Sequence, residues 1–134
     1  MEILLPHHLH HEVCIAALES GKHVSLRKPF VLSLEEADEV IDAEFRSRKI
    51  LRVFENFLAY HPYRLAISLI SAGKIGQTKF IHVAVITGHG VGGWTVPESS
   101  EEWRGPVLGG SGGFVFDHGA HVASTIVHFM GYVD

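Results

Sequence analysis

Cysteine is nearly absent: Cys14 is the only one in 134 residues, so no internal disulfide can form, and a reducing compartment fits best. Basic runs are missing too, and the formal net charge is −4, which gives no footing for nucleic acid or an anionic membrane surface. No apolar run approaches the length that crosses a bilayer, and the N-terminus has no basic segment followed by a long apolar one. The expectation is a soluble, cytoplasmic chain with neither nucleic acid nor membrane as a partner. A phosphate-binding loop is also lacking, because the glycine run Gly109-Gly110-Ser111-Gly112-Gly113 is not closed by Lys-Ser/Thr. Metal-ligand spacing is absent as well. His7, His8, His10 and His11 crowd together, but neighbours alternate in direction and no cysteine pair or His-Glu-x-x-His helix supplies further ligands. No metal site is expected; a loop at a strand's carboxyl end explains the histidines more simply, and a small histidine-rich metal binder is only the third reading.

What is present suffices for one core: hydrophobic residues make up 46% of the chain. The organising stretch is Gly21 to Phe30. Gly21 suits a helix C-terminus, His23 to Leu26 suit a short strand covered on both faces, and Pro29 holds Lys28 extended just past the strand's end. In an open α/β sheet ligands bind there. The competing reading of Lys28 is a solvated surface lysine.

In order, Met1 to Leu5 read as the tail of a strand and His10 to Ser20 as a helix with Leu9, Val13, Ala16 and Ala17 on one stripe. Ser33-Leu34-Glu35-Glu36 is a capping box opening a helix that buries Ala37, Val40, Ile41 and Phe45 and ends near Arg48. Ile50 to Phe54 is the next strand, and Pro62 begins a helix through Ala72 that Gly73 ends. The alternation predicts parallel pairing: the C-terminal part of a Rossmann-like α/β sheet, strand-helix-strand-helix-strand, over residues 1–74. From about residue 75 the character changes to the start of an α+β domain. Thr78 to Thr87 alternates as a longer strand, a glycine-rich structureless segment follows to Gly113, and a helix runs from about Asp117 to Met130.

Asp117 and His121 stand four apart, so they share one helix face. Each has a plainer reading: Asp117 as the helix N-cap, and His121 as a core histidine with one hydrogen-bonded nitrogen.

Together these residues resemble a known family. Pro6 followed by His10, then Ala17-Leu18, Gly21-Lys22-His23-Val24 and Lys28-Pro29, is similar to the stretch through the Glu-Lys-Pro motif of the glucose–fructose oxidoreductase/inositol dehydrogenase/MocA (Gfo/Idh/MocA) family. Trp103-Arg104, the glycine run and Asp117-His118-Gly119-Ala120-His121 resemble that family's Asp-x-Gly-x-His helix start. The resemblance implies an oxidoreductase that moves hydride between NAD or NADP and a sugar, polyol or related hydroxy compound. It implies catalytic roles for Lys28, His121 and Asp117. Pro6, His10, Arg27, Lys28, Pro29 and Arg104 would lie toward the cofactor. Two departures stand out. Arg27 replaces the family's glutamate, and the chain does not open on a strand, a Gly-x-Gly-x-x-Gly turn and a helix but at what resembles the middle of the nucleotide domain. It also stops before the second domain's sheet would finish. The alternative expectation is therefore a non-catalytic, truncated member serving as a binding or assembly partner, self-associating through the sheet face around Thr78 to Thr87.

Overall fold

The computed structural model describes residues 1–84 and 113–131. Three parallel strands, β1 (Glu2–Ile3), β2 (Val24–Arg27) and β3 (Leu51–Phe54), form a sheet in that order. Ser25 faces Glu2 on one side and Arg52 on the other, so β2 is the central strand. Helix α1 (His10–Glu19) connects β1 to β2, and α2 (Leu34–Ser47) connects β2 to β3. Two 3₁₀ turns (His7–Leu9 and Asn56–Ala59), α3 (His61–Ser71) and α4 (Gly113–Met130) complete the described elements. This is the expected Rossmann-type α/β pattern.

The helix ends follow from the sequence. Gly21 has φ 74°, and Lys22 N–H and Gly21 N–H donate to Ala17 and Leu18 carbonyls at 3.0 and 2.8 Å. This double bond pattern satisfies the last carbonyls of α1, and a residue without Cβ allows it. Gly73, at φ 69°, closes α3 the same way through Ile70 and Leu69. Ser33 caps α2 by accepting from Glu36 N–H at 3.1 Å. Glu36 reaches back one residue further than a capping box requires and accepts from Leu32 N–H at 2.9 Å.

The core is small: Ile3 and Leu26 from the sheet, Cys14, Ala17 and Leu18 from α1, Val40 and Ala43 from α2, with Val24 and Val31. Leu18 and Leu26 are fully buried, each worth roughly 1.5–3 kcal/mol by area removed from water.

Four expectations are corrected. In α1 the buried stripe is His10, Cys14, Ala17 and Leu18, with Ala16 exposed, because the face that meets the sheet and α2 is turned from the predicted one. In α2 Val40 and Ala43 are inward while Phe45 is 85% and Ile41 50% exposed; the helix packs through its small residues, and nothing described covers its larger ones. Residues 78–84 carry no strand pairing among the described residues, since their alternating pattern meets no neighbouring backbone there, and residues 85–87 lie outside the described residues. Finally, α4 begins at Gly113, which places Asp117 inside the helix rather than at its N-cap. Among the described residues no helix is long and apolar enough to cross a membrane.

Candidate active site

Parallel strands send their carboxyl ends to one edge of the sheet, and three loops gather there: Pro6–His7 after β1, Lys28–Pro29 after β2 and Glu55 after β3. Helix α4 reaches the same place. The Lys28 ammonium donates to the Asp117 carboxylate and, at 2.7 Å, to the Asp117 carbonyl, across 89 residues of chain. Lys28 is only 7% exposed, so the solvated-surface reading fails. The ring of His7 stands beside the same carboxylate, Nε2 lying 3.6 Å from Oδ1. The pairing is what allows a lysine to be buried at all.

One helical turn on, His121 projects from the same face of α4. Its Nδ1 lies 2.6 Å from a Glu55 carboxylate oxygen, and its ring stacks on Phe57 at 4.2 Å and 15° between planes. His118 meets the ring edge-on at 5.8 Å. Tyr63 packs against Phe57 and against Phe129, extending an aromatic wall behind the histidine. Thr125 donates to the His121 carbonyl at 2.7 Å, spending its hydroxyl inside the helix. Burial lowers the proton affinity of His121 below the ordinary 6.5, the Lys28 charge lowers it further, and Glu55 opposes both. The ring is held neutral at neutral pH, and a neutral imidazole can accept a proton.

The flanking residues divide in role. His10 is fully buried, with Nδ1 2.9 Å from the Pro29 carbonyl and 3.2 Å from that of Phe30, and Nε2 2.9 Å from the Leu5 carbonyl. It lies between the loop after β1 and the loop after β2 and, being fully buried, shows no side-chain atom to a ligand. Pro6 caps the 3₁₀ turn His7–Leu9, whose Leu9 N–H donates to its carbonyl at 3.0 Å. Pro29 is buried, and its peptide bond with Lys28 is cis. Arg27 is exposed while Lys28 is buried, so the reversed charge of the motif goes to solvent. Arg104, with Trp103 and the glycine run up to Gly112, lies outside the described residues. Glu55 and Phe57 escaped the sequence reading, although Glu55 follows β3 just as Lys28 follows β2. A hollow on the outer face of α2 beside Ile41, Phe45, Arg48 and Lys49 contains none of these groups, so charge pairing, not cavity size, marks the site.

An ammonium, a carboxylate and a neutral imidazole gathered at one edge of the sheet can hold a hydroxyl oxygen and move its proton. Residues 2–55 match the model described as "Oxidoreductase family, NAD-binding Rossmann fold". The levoglucosan dehydrogenase of Pseudarthrobacter phenanthrenivorans is 29% identical over 132 residues, covering 98% of this chain and 33% of that protein. The 1-carboxy-3-chloro-3,4-dihydroxycyclo hexa-1,5-diene dehydrogenase of Comamonas testosteroni is 31% identical over 121 residues, covering 90% of this chain and 29% of its own length. Among solved structures, an inositol dehydrogenase homolog complexed with NADH and myo-inositol from Azotobacter vinelandii superposes with a TM-score of 0.75 at 25% identity, over 96% of this chain and 32% of that one. The chain thus spans about a third of the length of these relatives.

Proposed function

We propose, from the premise that this chain belongs to the Gfo/Idh/MocA family of oxidoreductases, that its Lys28–Asp117–His121 cluster serves an NAD- or NADP-dependent oxidation or reduction of a sugar, polyol or related hydroxy compound. The observation that carries this is the meeting of Lys28 with Asp117, one helical turn from His121, at the carboxyl edge of a parallel sheet. The residues fit a nicotinamide: the loops after β1 and β2 are braced by His10, and Lys28 stands at the edge where α/β sheets bind ligands. Pro6, Arg27, Pro29 and Arg104 belong to the same proposal as its cofactor side, with His10 acting through the loops it ties. Residues 1–74 are read as the nucleotide side and residues 75–134 as the start of the substrate and oligomerisation side.

When bound, the nicotinamide supplies the hydride chemistry. His121 takes the proton of the substrate hydroxyl during oxidation and returns it during reduction, being neutral at working pH. The Lys28 ammonium stabilises charge developing on that oxygen. Asp117 orients the ammonium and offers its carboxylate to neighbouring hydroxyls. Such hydroxyls suit the relatives whose names include levoglucosan and myo-inositol.

The test follows reduced nicotinamide with myo-inositol and levoglucosan as substrates. Turnover by the unaltered chain is expected, with Lys28→Met and His121→Ala each losing about 10²- to 10⁴-fold. Full turnover in either variant would overturn the assignment. A second reading, a self-associating partner, is favoured by Phe80, which is 81% exposed within a stretch, 78–84, that has no strand pairing among the described residues. A dimer in light scattering that Phe80→Glu disperses, with no turnover, would make that reading the better one.

A further inference from the structure

Glu55 occupies the single residue between β3 and the following 3₁₀ turn. One of its oxygens, Oε1, accepts from Phe57 N–H at 2.8 Å, and the other, Oε2, lies 2.6 Å from His121 Nδ1. The two side chains are 9% and 10% exposed. The residue whose N–H fixes the carboxylate is also the one whose ring lies flat on the imidazole. Edge and face of His121 are thus held by one short stretch, 66 residues away in sequence.

An ionised carboxylate only accepts, so Nδ1 must carry the hydrogen in this contact. In the neutral ring the lone pair then sits on Nε2, which has no hydrogen-bond partner among the described residues. We infer that Glu55 is a positioning residue that fixes His121 in its Nδ1–H tautomer and aims Nε2 at the substrate hydroxyl. This rests on the reading of His121 as the proton acceptor. Among the described residues, the charged or titratable groups acting on the ring are Lys28, Glu55 and His118. Of these Glu55 alone favours the protonated ring, so the same carboxylate that selects the tautomer also steadies the imidazolium formed when the proton arrives. Atoms balance within this exchange: the O–H bond of the substrate breaks as an Nε2–H bond forms, and the Glu55 carboxylate keeps its contact with Nδ1–H.

The experiment is a long-range ¹H–¹⁵N correlation spectrum of the labelled full chain, with the His121 ring assigned by its loss in His121→Asn. It reads the tautomer whether or not turnover is found, which separates failure of this inference from failure of the proposed function. Expected for the unaltered chain is a protonated Nδ1 and a bare Nε2 above the titration midpoint. Glu55→Ala should move the ring toward the Nε2–H tautomer and lower its midpoint. Glu55→Gln, whose amide oxygen can still accept while the charge is gone, should keep the tautomer but lower the midpoint, and it serves alone if the alanine variant does not fold. A His121 bearing its hydrogen on Nε2 in the unaltered chain, or a midpoint indifferent to Glu55→Gln, would overturn the inference.

Discussion

Removing the ammonium of Lys28 tests the long-range contact on which the site depends. Lys28 and Asp117 side chains are 8% and 14% exposed, so neither is screened as a surface pair is. Breaking one partner of a buried pair typically costs about 3–5 kcal/mol, because a buried charge is left alone. Here a sliver of exposure and the nearby His7 ring relieve part of that, giving about 2–3 kcal/mol for Lys28→Met. Asp117→Leu should cost less, since the ammonium keeps its 2.7 Å bond to the helix carbonyl. The double variant leaves no orphaned charge and should be milder than the sum of the two, by a coupling of about 1–3 kcal/mol. The assay is a double-mutant cycle in urea, read from the midpoints at constant slope. Additivity to within about 0.5 kcal/mol would refute the contact and with it the meeting of α4 with the loop after β2.

Further outcomes follow from burial and charge. His121 is held below its ordinary 6.5, so the folded chain takes up its proton less readily than the unfolded one. Stability from this group is therefore full above 6.5 and is lost as pH falls from there toward the folded midpoint; NMR titration of His121 in Lys28→Met should show that midpoint rising, since the lysine is the second cause after burial. Leu18→Ala should cost about 2–5 kcal/mol in a urea melt, whereas Phe45→Ala, at an 85% exposed position, should stay within about 0.5 kcal/mol. Burial pushes the Cys14 thiol up to about 11, so a disulfide reagent should modify it only as fast as the chain opens; rapid modification of the native chain would contradict the packing of α1.

Much of the fold was legible because punctuation and periodicity are local. Gly21, Ser33, Pro62 and Gly73 end or begin elements where their backbone chemistry requires it, and the strand-helix alternation gives parallel pairing. Lys28, Asp117 and His121 were legible as candidates through residue type and a resemblance. What failed depends on neighbours. Whether Phe45 or Val40 faces inward is decided by what lies across α2, and both fit a helical apolar stripe. Residues 78–84 have a strand's alternation, but a ladder needs a second backbone, and among the described residues they pair with none. His10 looked like a ligand-facing residue, and three carbonyls brought close by folding turn it into a brace. Glu55 was missed because a lone carboxylate after a strand has no sequence partner; its significance comes from His121, 66 residues away.

The central claim is that the carboxyl edge of this sheet receives a nicotinamide beside Lys28. The direct measurement is a titration of the purified chain with NADH and with NADPH, following nicotinamide fluorescence alongside a thermal melt, repeated with Lys28→Met. Saturable binding to a cooperatively melting chain, weakened by the substitution, is the predicted result. A cooperative melt with no saturable binding of either nucleotide would contradict it.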